Sequence, residues 1–261
     1  MKARIAAACT MLTLLGASPA RAILGGQVDG SGHPQVGAID VRPTGKVIPC
    51  TGTLIAPTVF VTAGHCADFF LSLGIPEARV SFDAVFSDLG TFHTGTLYLH
   101  PLYRADPASN RHDDPHDIAV IVFAQPVTGI TPAQLPHAGM LDALGPAGLG
   151  AQAFPVVGYG ITRLLGGPEG GGPRDIDRTS AGIRKTGDWR FRSLTADWLR
   201  FDMQEARACT GDSGAPNFLG NSRLIVGIGV GGDAACQAMG SDLRLDTESV
   251  RAFLGRFVTL P

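Results

Sequence analysis

The sequence predicts a mostly β protein built from many short strands, and three observations support this fold class. Glycine and proline are abundant, at 35 and 18 of 261 residues, which suits strands joined by tight turns better than a helical bundle. Short apolar runs recur along the chain between clusters of these turn residues. The remaining composition is ordinary, with 44% hydrophobic and 17% charged residues. A formal net charge of −2 gives no electrostatic reason to expect binding to nucleic acid or to an anionic membrane.

Residues 1–22 have the pattern of a secretory signal peptide. Two basic residues lie near its start, residues 5–17 form an apolar run, and Ala20-Arg21-Ala22 is a small-x-small cleavage site. The apolar run is too short to span a bilayer, and no later segment has the length and hydrophobicity of a transmembrane helix. We therefore expect a secreted or periplasmic protein, with no membrane association after signal removal and a mature chain that begins at Ile23.

The cysteines indicate disulfide bonds. Four of them lie beyond the predicted signal, at Cys50, Cys66, Cys209 and Cys236. An even count after a signal peptide is typical of disulfides formed in an oxidising compartment, and four cysteines allow three pairings. A zinc site is less favoured because no C-x₂₋₄-C pair exists. We expect neither a metal ion nor a cofactor.

The order of apolar runs and turn residues predicts the individual elements. Pro57 separates two of the predicted strands. The predicted strands are 53–56, 59–61, 80–86, 91–99, 118–123, 153–158 and 224–230, with further short apolar stretches between 36 and 47. Two polar or glycine-rich segments, 106–117 and 164–178, are predicted loops.

Two further segments complete this assignment. Residues 125–150 are rich in Pro, Gly and Ala, and this predicted connector divides the chain into domains 23–130 and 131–261. Residues 246–257 predict a C-terminal helix, which Asp246 or Thr247 could cap. Its apolar side chains share one face: Val250, Phe253, Leu254 and Phe257.

The segment 209–216 carries the strongest chemical signal. Glycines at 211 and 214 flank Ser213, as in a tight loop that presents a hydroxyl and lets another chain approach closely. The N–H groups of Gly211 and Ser213 could then hold the oxyanion that forms when the hydroxyl attacks a carbonyl. An ordinary polar turn is the alternative, because glycine, aspartate and serine are common turn residues.

A histidine and an aspartate upstream could complete a catalytic arrangement. His65 follows the predicted strand 59–61, so we expect it at the end of a strand, next to a cysteine that could fix its backbone. Asp117 opens a buried strand, where a carboxylate needs a partner and an imidazole N–H would serve. A lone histidine would more often be structural, and Asp113 and Asp114 compete with Asp117 for this role.

The segment His-Asp-Asp-Pro-His at 112–116 could also bind a metal ion. Pro115 disfavours the single helix that would align His112 with His116, so a solvated loop is the preferred interpretation.

The order His65, Asp117, Ser213 makes a family recognisable: the chain resembles the chymotrypsin/trypsin-like serine proteases. Five blocks in the family's order carry the resemblance, and they span nearly the whole mature chain. These blocks are Ile23-Leu24-Gly25-Gly26, Thr62-Ala63-Gly64-His65-Cys66, Asp117-Ile118-Ala119-Val120, Gly158-Tyr159-Gly160 and Gly211-Asp212-Ser213-Gly214.

The resemblance implies a fold and a mechanism. It implies an all-β architecture of two packed antiparallel β-barrels with a C-terminal α-helix, and an active site in the cleft between the barrels. Ser213 would be the nucleophile, His65 the general base and then acid, and Asp117 the residue that orients the imidazole. Gly211 and Ser213 would supply the oxyanion hole. The implied disulfides are Cys50–Cys66 and Cys209–Cys236.

The resemblance also implies an activation step. In this family a freed N-terminal Ile or Val pairs with the aspartate before the nucleophile, which would join Ile23 to Asp212. Because the predicted signal site directly precedes Ile23, and Ala22 rather than Arg or Lys stands there, our hypothesis is that signal cleavage itself exposes the activating terminus.

The chain departs from the family where specificity is set. The resemblance places four residues at the primary specificity pocket: Arg207, Val230, Gly232 and Asp242. A trypsin has aspartate where Arg207 stands. This guanidinium is neutralised either by an acidic substrate or by Asp242 or Asp233, or else it points outward and leaves a small apolar pocket. Val230-Gly231-Gly232 replaces the usual Ser-Trp-Gly and removes a hydroxyl and an aromatic wall.

The sequence therefore predicts a secreted serine endopeptidase that acts, as a monomer, on protein or peptide substrates through an acyl-enzyme on Ser213. The alternative is a secreted binding module on the same fold with weak or absent catalysis, which the altered pocket favours and the complete set of catalytic residues disfavours. An esterase of another fold lacks support, because no G-x-S-x-G motif surrounds Ser213.

Overall fold

The computed structural model describes residues 23–105, 114–165, 175–203, 206–232, 236 and 239–261. The predicted signal peptide lies outside these described residues, as do most of the predicted loops 106–117 and 164–178. His112, Asp113 and Asp233 also lie outside them.

The first half of the chain forms a closed antiparallel barrel. Its strands are β2 (Val36–Ile39), β3 (Cys50–Ala56), β4 (Val59–Thr62), β5 (Glu77–Ser81), β6 (His93–Leu99) and β7 (Ala119–Phe123). They follow the spatial order β2-β3-β4-β7-β6-β5, and β5 pairs back with β2. Leu54, Phe60 and Ile121 are fully buried together in its core. Closure leaves this sheet without an unpaired edge.

The second half forms a second ring of strands. Its members are β8 (Phe154–Gly158), β11 (Lys185–Leu194), β12 (Trp198–Asp202), β13 (Pro216–Phe218), β14 (Ile225–Gly232) and β15 (Met239–Arg244). The order is β11-β12-β15-β14-β13-β8, and β8 pairs with β11 to close the ring. Strand β1 (Gln27–Val28) adds to β11, while β9 (Leu164–Leu165) and β10 (Asp175–Ile176) pair with each other. The predicted all-β class with two antiparallel barrels is confirmed.

The described part of the chain also contains three α-helices: α1 (Gly64–Ser72), α2 (Met140–Gly150) and α3 (Glu248–Leu254). Among the described residues, none of these is long and apolar enough to cross a membrane. The interpretation of 125–150 as a connector without structure missed α2. This helix is kinked at Gly145, where φ is 63°, next to Pro146, and both residues hid the helical pattern in the sequence.

Helix α3 confirms the predicted C-terminal helix but is shorter than 246–257. Thr247 occupies the N-cap position, whereas Asp246 accepts a hydrogen bond from the Leu141 N–H at 2.8 Å. The predicted strand 80–86 is misplaced: β5 spans Glu77–Ser81 and shares only residues 80 and 81 with the prediction.

The barrels share an apolar interface that fixes their relative position. Val36, Val61 and Val120 of the first barrel are buried in one cluster with Phe218 and Ile228 of the second. The buried face of α3 packs into the same cluster. Because groups at this interface come from both halves, side chains distant in sequence can meet there.

Two disulfide bonds brace the segments next to this interface. Cys50 at the start of β3 is bonded to Cys66 in α1, and Cys209 is bonded to Cys236. Both pairings implied by the resemblance are therefore present.

Arg184 ties the N-terminal segment to both barrels. Its Nε donates to Asp29 at 2.9 Å, and one of its terminal nitrogens donates to the Tyr159 hydroxyl at 3.1 Å. Burial alone would raise the pKa of Asp29, but bonds from His33 and Arg184 outweigh it and the pKa is lowered. The guanidinium also donates to the carbonyls of Gly30, Val36 and Phe82.

We expect Arg184→Met to lower the free energy of unfolding by about 3–5 kcal/mol, because it removes the buried guanidinium and leaves the buried Asp29 carboxylate with the bonds from His33 alone. Urea unfolding followed by fluorescence measures this change. Arg192→Met is the matched control, since Arg192 forms an exposed ion pair with Asp202 and its loss should cost no more than about 1 kcal/mol. Similar effects of the two substitutions would contradict this assignment of Arg184.

Candidate active site

His65 and Asp117 are joined by two hydrogen bonds. The His65 Nδ1 lies 2.8 Å from Asp117 Oδ2, and the His65 backbone N–H donates to Oδ1 at 2.7 Å. The Asp117 side chain is buried, whereas the His65 side chain is 16% exposed. The carboxylate thus holds both the ring and the backbone of the histidine, and the imidazole remains accessible from one side.

The local sequence explains how these residues meet. His65 lies in the first turn of α1 rather than at the end of a strand as predicted, because β4 ends at Thr62 and the helix begins at Gly64. A Cβ at Gly64 would lie 2.8 Å from the Ile118 nitrogen and 3.0 Å from Asp117 Oδ1. The glycine therefore allows the start of α1 to contact the residue that precedes β7.

Ser213 lies in a loop that glycines shape. Gly211 and Gly214 have φ values of 103° and 82°, a region that side chains disfavour. A Cβ on Gly214 would lie 2.2 Å from the Thr51 carbonyl, and one on Gly211 would lie 2.7 Å from Gly160 Cα. Both glycines are thus required by conformation and by close packing, as the sequence predicted for this segment.

Thr51 connects this loop to the first barrel, and the sequence analysis missed it. Its N–H donates to the Ser213 carbonyl at 2.8 Å, and its hydroxyl donates to the Gly211 carbonyl at 2.9 Å. The same hydroxyl accepts from the Tyr159 N–H at 3.1 Å, and the Thr51 carbonyl accepts from the Thr62 hydroxyl at 2.7 Å. Its position between Cys50 and Gly52 was the available signal.

The loop leaves two N–H groups available. Within the part of the chain that the structure describes, the N–H groups of Gly211 and Ser213 have no hydrogen-bond acceptor. The adjacent N–H groups are used: Asp212 donates to the Cys209 carbonyl and Gly214 to the Gly229 carbonyl. Two neighbouring unpaired donors beside a hydroxyl can bind a developing oxyanion.

One cavity contains the imidazole, the hydroxyl and the loop of the candidate active site. His65, Ser213 and Gly211 all line a cleft of about 430 Å³. The structure therefore brings His65 and Ser213, which lie far apart in the sequence, together in one cleft, with Asp117 bonded to the imidazole. Its other walls are Val41, Lys46, Val47, Ile48, Pro49, Cys50, Cys66, Phe69, Arg178 and Thr210.

Asp212 is directed away from this cleft and into the protein. Its carboxylate accepts from the Gly160 N–H at 2.8 Å and from the Cys209 N–H at 3.0 Å, and it packs against Gly158 and Gly160. Burial raises the pKa of Asp212 to about 6, although these two hydrogen bonds act in the opposite direction. The charged form of Asp212 thus lacks the stabilisation that a nearby cation would give.

Ile23 is buried in the core of the second barrel. Its exposure is 1%, and its φ of 38° is strained for a β-branched residue. The next residue, Leu24, exchanges two backbone hydrogen bonds with Arg207, at 3.0 and 2.9 Å. The chain around Ile23 is therefore held close to the segment that leads into Cys209 and Asp212.

The four residues assigned to a specificity pocket have different surroundings. Arg207 is partly exposed, while Val230 is buried in the interface between the barrels. Gly232 ends β14 opposite Gly240. Among the described residues the side-chain partner of Asp242 is Asn217, at 2.6 Å, rather than Arg207.

Asp242 is fully buried below the Ser213 loop. Burial raises its pKa to about 8, an effect that the Asn217 hydrogen bond only partly offsets. Its Oδ1 has no hydrogen-bond partner among the described residues and lies 3.8 Å from the Cβ position of Gly229. An ion pair between Asp242 and Arg207 is therefore not part of this structure.

Asp114 does not take the place of Asp117. Asp114 Oδ1 lies 3.0 Å from His116 Nδ1, and the His116 ring stacks on His100 with centroids 4.7 Å apart. Through these contacts Asp114 orders the turn that precedes Asp117 and β7.

Comparisons with known proteins identify the family and the fold. The Trypsin family model matches residues 25–242. Human granzyme M is 27% identical over 188 residues, which cover 69% of this chain and 67% of that protein. The structure of HL collagenase has a similar fold, with a TM-score of 0.62 and 16% identity over 85% of this chain and 94% of that one. The chain belongs to the trypsin family and is a trypsin-like serine endopeptidase.

Proposed function

We propose that the protein is an exported endopeptidase that cleaves protein or peptide substrates through an acyl-enzyme on Ser213. The observation that carries this proposal is the bonded pair of His65 and Asp117, which lies beside Ser213 in one cleft. Asp117 fixes the imidazole through Nδ1, so that Nε2 is the nitrogen available to the serine hydroxyl.

In the first half of the reaction the Ser213 oxygen attacks the substrate carbonyl while its proton passes to His65. The charge that develops on the carbonyl oxygen is stabilised by the N–H groups of Gly211 and Ser213. His65 then protonates the leaving amine as the C–N bond breaks. In the second half water attacks the ester, His65 again accepts and returns a proton, and Ser213 is released with the acid product.

Export and a monomeric state are part of this proposal. The two disulfides fit an oxidising compartment, and the strands of each barrel close into a ring, so that among the described residues the free sheet edges belong to the two-residue strands β1, β9 and β10. The chemistry uses only side chains and backbone N–H groups of this chain.

Reaction with a fluorophosphonate probe tests the nucleophile. We expect selective labelling of the mature protein, none for Ser213→Ala, and undiminished labelling for the matched control Ser222→Ala, an exposed serine. For Asp117→Asn we expect kcat on a cleaved peptide to fall by about 10⁴-fold, the magnitude found for this carboxylate in serine proteases. Labelling that survives Ser213→Ala would exclude Ser213 as the nucleophile.

We further propose that Asp212 acts in activation by pairing with the freed amino group of Ile23. The buried carboxylate with a raised pKa supports this proposal, because a cation next to it would stabilise its charged form. The strained φ of Ile23 in the uncut chain also supports it. Once the preceding peptide bond is cut, no carbonyl restricts that torsion and the strain is released.

The pH dependence of the uncut chain has a definite sign. The folded-state pKa of Asp212, about 6, lies above the ordinary value of 3.8. Its ionisation therefore costs stability as pH rises through this interval, by an amount on the order of 3 kcal/mol. In a chain extended by Gly-Ser before Ile23, Asp212→Asn should raise Tm at pH 7.5 and leave it unchanged at pH 4. Asp188→Asn, at an exposed position, is the control.

The mature chain that begins at Ile23 should behave in the opposite way. There Asp212→Asn removes the partner of the new amino group, so we expect probe labelling to slow at least about tenfold, to the rate of the extended chain. Equal labelling rates for the extended and mature chains would show that a free Ile23 is not needed.

A further inference from the structure

The cleft beside Ser213 has walls that belong mainly to the first barrel. Ile48 and Pro49 precede β3, Phe69 lies on α1, and the Cys50–Cys66 disulfide forms part of the floor. We call this cavity the leaving-side cleft. At about 430 Å³ it has the size of a ligand pocket, and its inner walls are apolar.

The position of β14 indicates which part of a substrate the leaving-side cleft would receive. Gly229 of β14 accepts from the Gly214 N–H at 2.7 Å and donates to the Ala215 carbonyl at 2.8 Å, directly after Ser213. A substrate whose acyl portion pairs with the backbone of β14 must cross Ser213 toward the first barrel. The residues after the cut then lie in the leaving-side cleft.

Two cations line the leaving-side cleft, one from each barrel. Lys46 follows the first-barrel turn at Gly45, and its Nζ lies 4.8 Å from the centre of the Phe69 ring. Arg178 begins a short 3-10 turn, Arg178–Ser180, that Asp177 caps by accepting from the Thr179 N–H. Both side chains are exposed, and within the described residues neither has an ion-pair partner.

No acidic side chain is present among the described residues that line the leaving-side cleft. Of the nearby acids, Asp177 bonds Arg163, Asp212 is buried, and Asp68 of α1 does not line the cleft. The leaving-side cleft therefore has a positive rim over an apolar floor. His65 is its other titratable lining group.

We propose that Lys46 and Arg178 make the protease selective for substrates with Glu or Asp in the first two positions after the cut. This inference rests on the proposed function. The aliphatic stem of the substrate's Glu or Asp side chain packs on the apolar floor of the leaving-side cleft, and its carboxylate pairs with Lys46 and Arg178. Each exposed ion pair contributes up to about fivefold in affinity, so the two together should give roughly five- to tenfold selectivity at low salt.

The test uses quenched peptides that are identical before the cut and carry Glu, Gln or Lys in the two positions after it. For the mature protein we expect kcat/KM for Glu to exceed that for Gln by about five- to tenfold at low salt, and to approach it at 0.5 M NaCl. The double variant Lys46→Gln/Arg178→Gln should bring the ratio to about one. Arg223→Gln, an exposed arginine that does not line the cleft, should leave it unchanged.

Binding to the Ser213→Ala variant separates this inference from the proposed function. Fluorescence anisotropy should show tighter binding of a labelled Glu peptide than of its Gln counterpart, and the double variant should abolish the difference. Retention of this preference without any turnover by the unsubstituted protein would support the cleft assignment and overturn the proposed function. Equal binding and equal hydrolysis of Glu, Gln and Lys peptides would overturn the cleft assignment.

Discussion

The hydrogen bonds of Thr51 are the constraint on which the site depends. The candidate nucleophile belongs to the second barrel, whereas the imidazole and carboxylate belong to the first, and two packed barrels could slide by a fraction of an ångström. Thr51 removes that freedom, because a single residue of β3 binds the carbonyls of Gly211 and Ser213 through separate donors. Its hydroxyl also receives the Tyr159 N–H, so the donor is oriented as well as buried.

A second constraint is electrostatic. Asp117, Asp212 and Arg184 are all nearly excluded from solvent, and each is tolerated for a different reason. Asp117 has an imidazole and a backbone N–H, and Arg184 has a carboxylate and several carbonyls. Within the described part of the uncut chain, the Asp212 carboxylate is bonded to two backbone N–H groups. The environment of Asp212 thus favours a nearby cation. Cleavage of the peptide bond before Ile23 would supply one, and so could alter the loop before Ser213.

The sequence predicted the local features of this molecule well and the contacts between distant segments poorly. His65 and Ser213 could be recognised because each stands in a short block with glycines whose need the structure explains, such as Gly64, and Asp117 because it directly precedes a buried strand. Helix α2 was missed because Gly145 and Pro146 disguise it, and the histidine was misplaced because β4 and α1 are separated by a single residue. Thr51 was missed because its position between Cys50 and Gly52 does not reveal that it will bond residues 160 and 162 positions later.

The residues assigned to the specificity pocket show most clearly that contacts between distant segments could not be predicted from the sequence. Asp242 could be named as a neighbour of the pocket, but its partner Asn217 lies on another strand and is not marked by any motif. Four glycines in β14, at 227, 229, 231 and 232, leave a strand that can pair with a backbone yet offers few side chains to sort substrates. Asp242 fills the space beside Gly227, because its Cβ lies 2.9 Å from where a Cβ on Gly227 would be. Because β14 offers few side chains, selection between substrates depends more on the opposite side of Ser213, where the side chains are larger and carry charge.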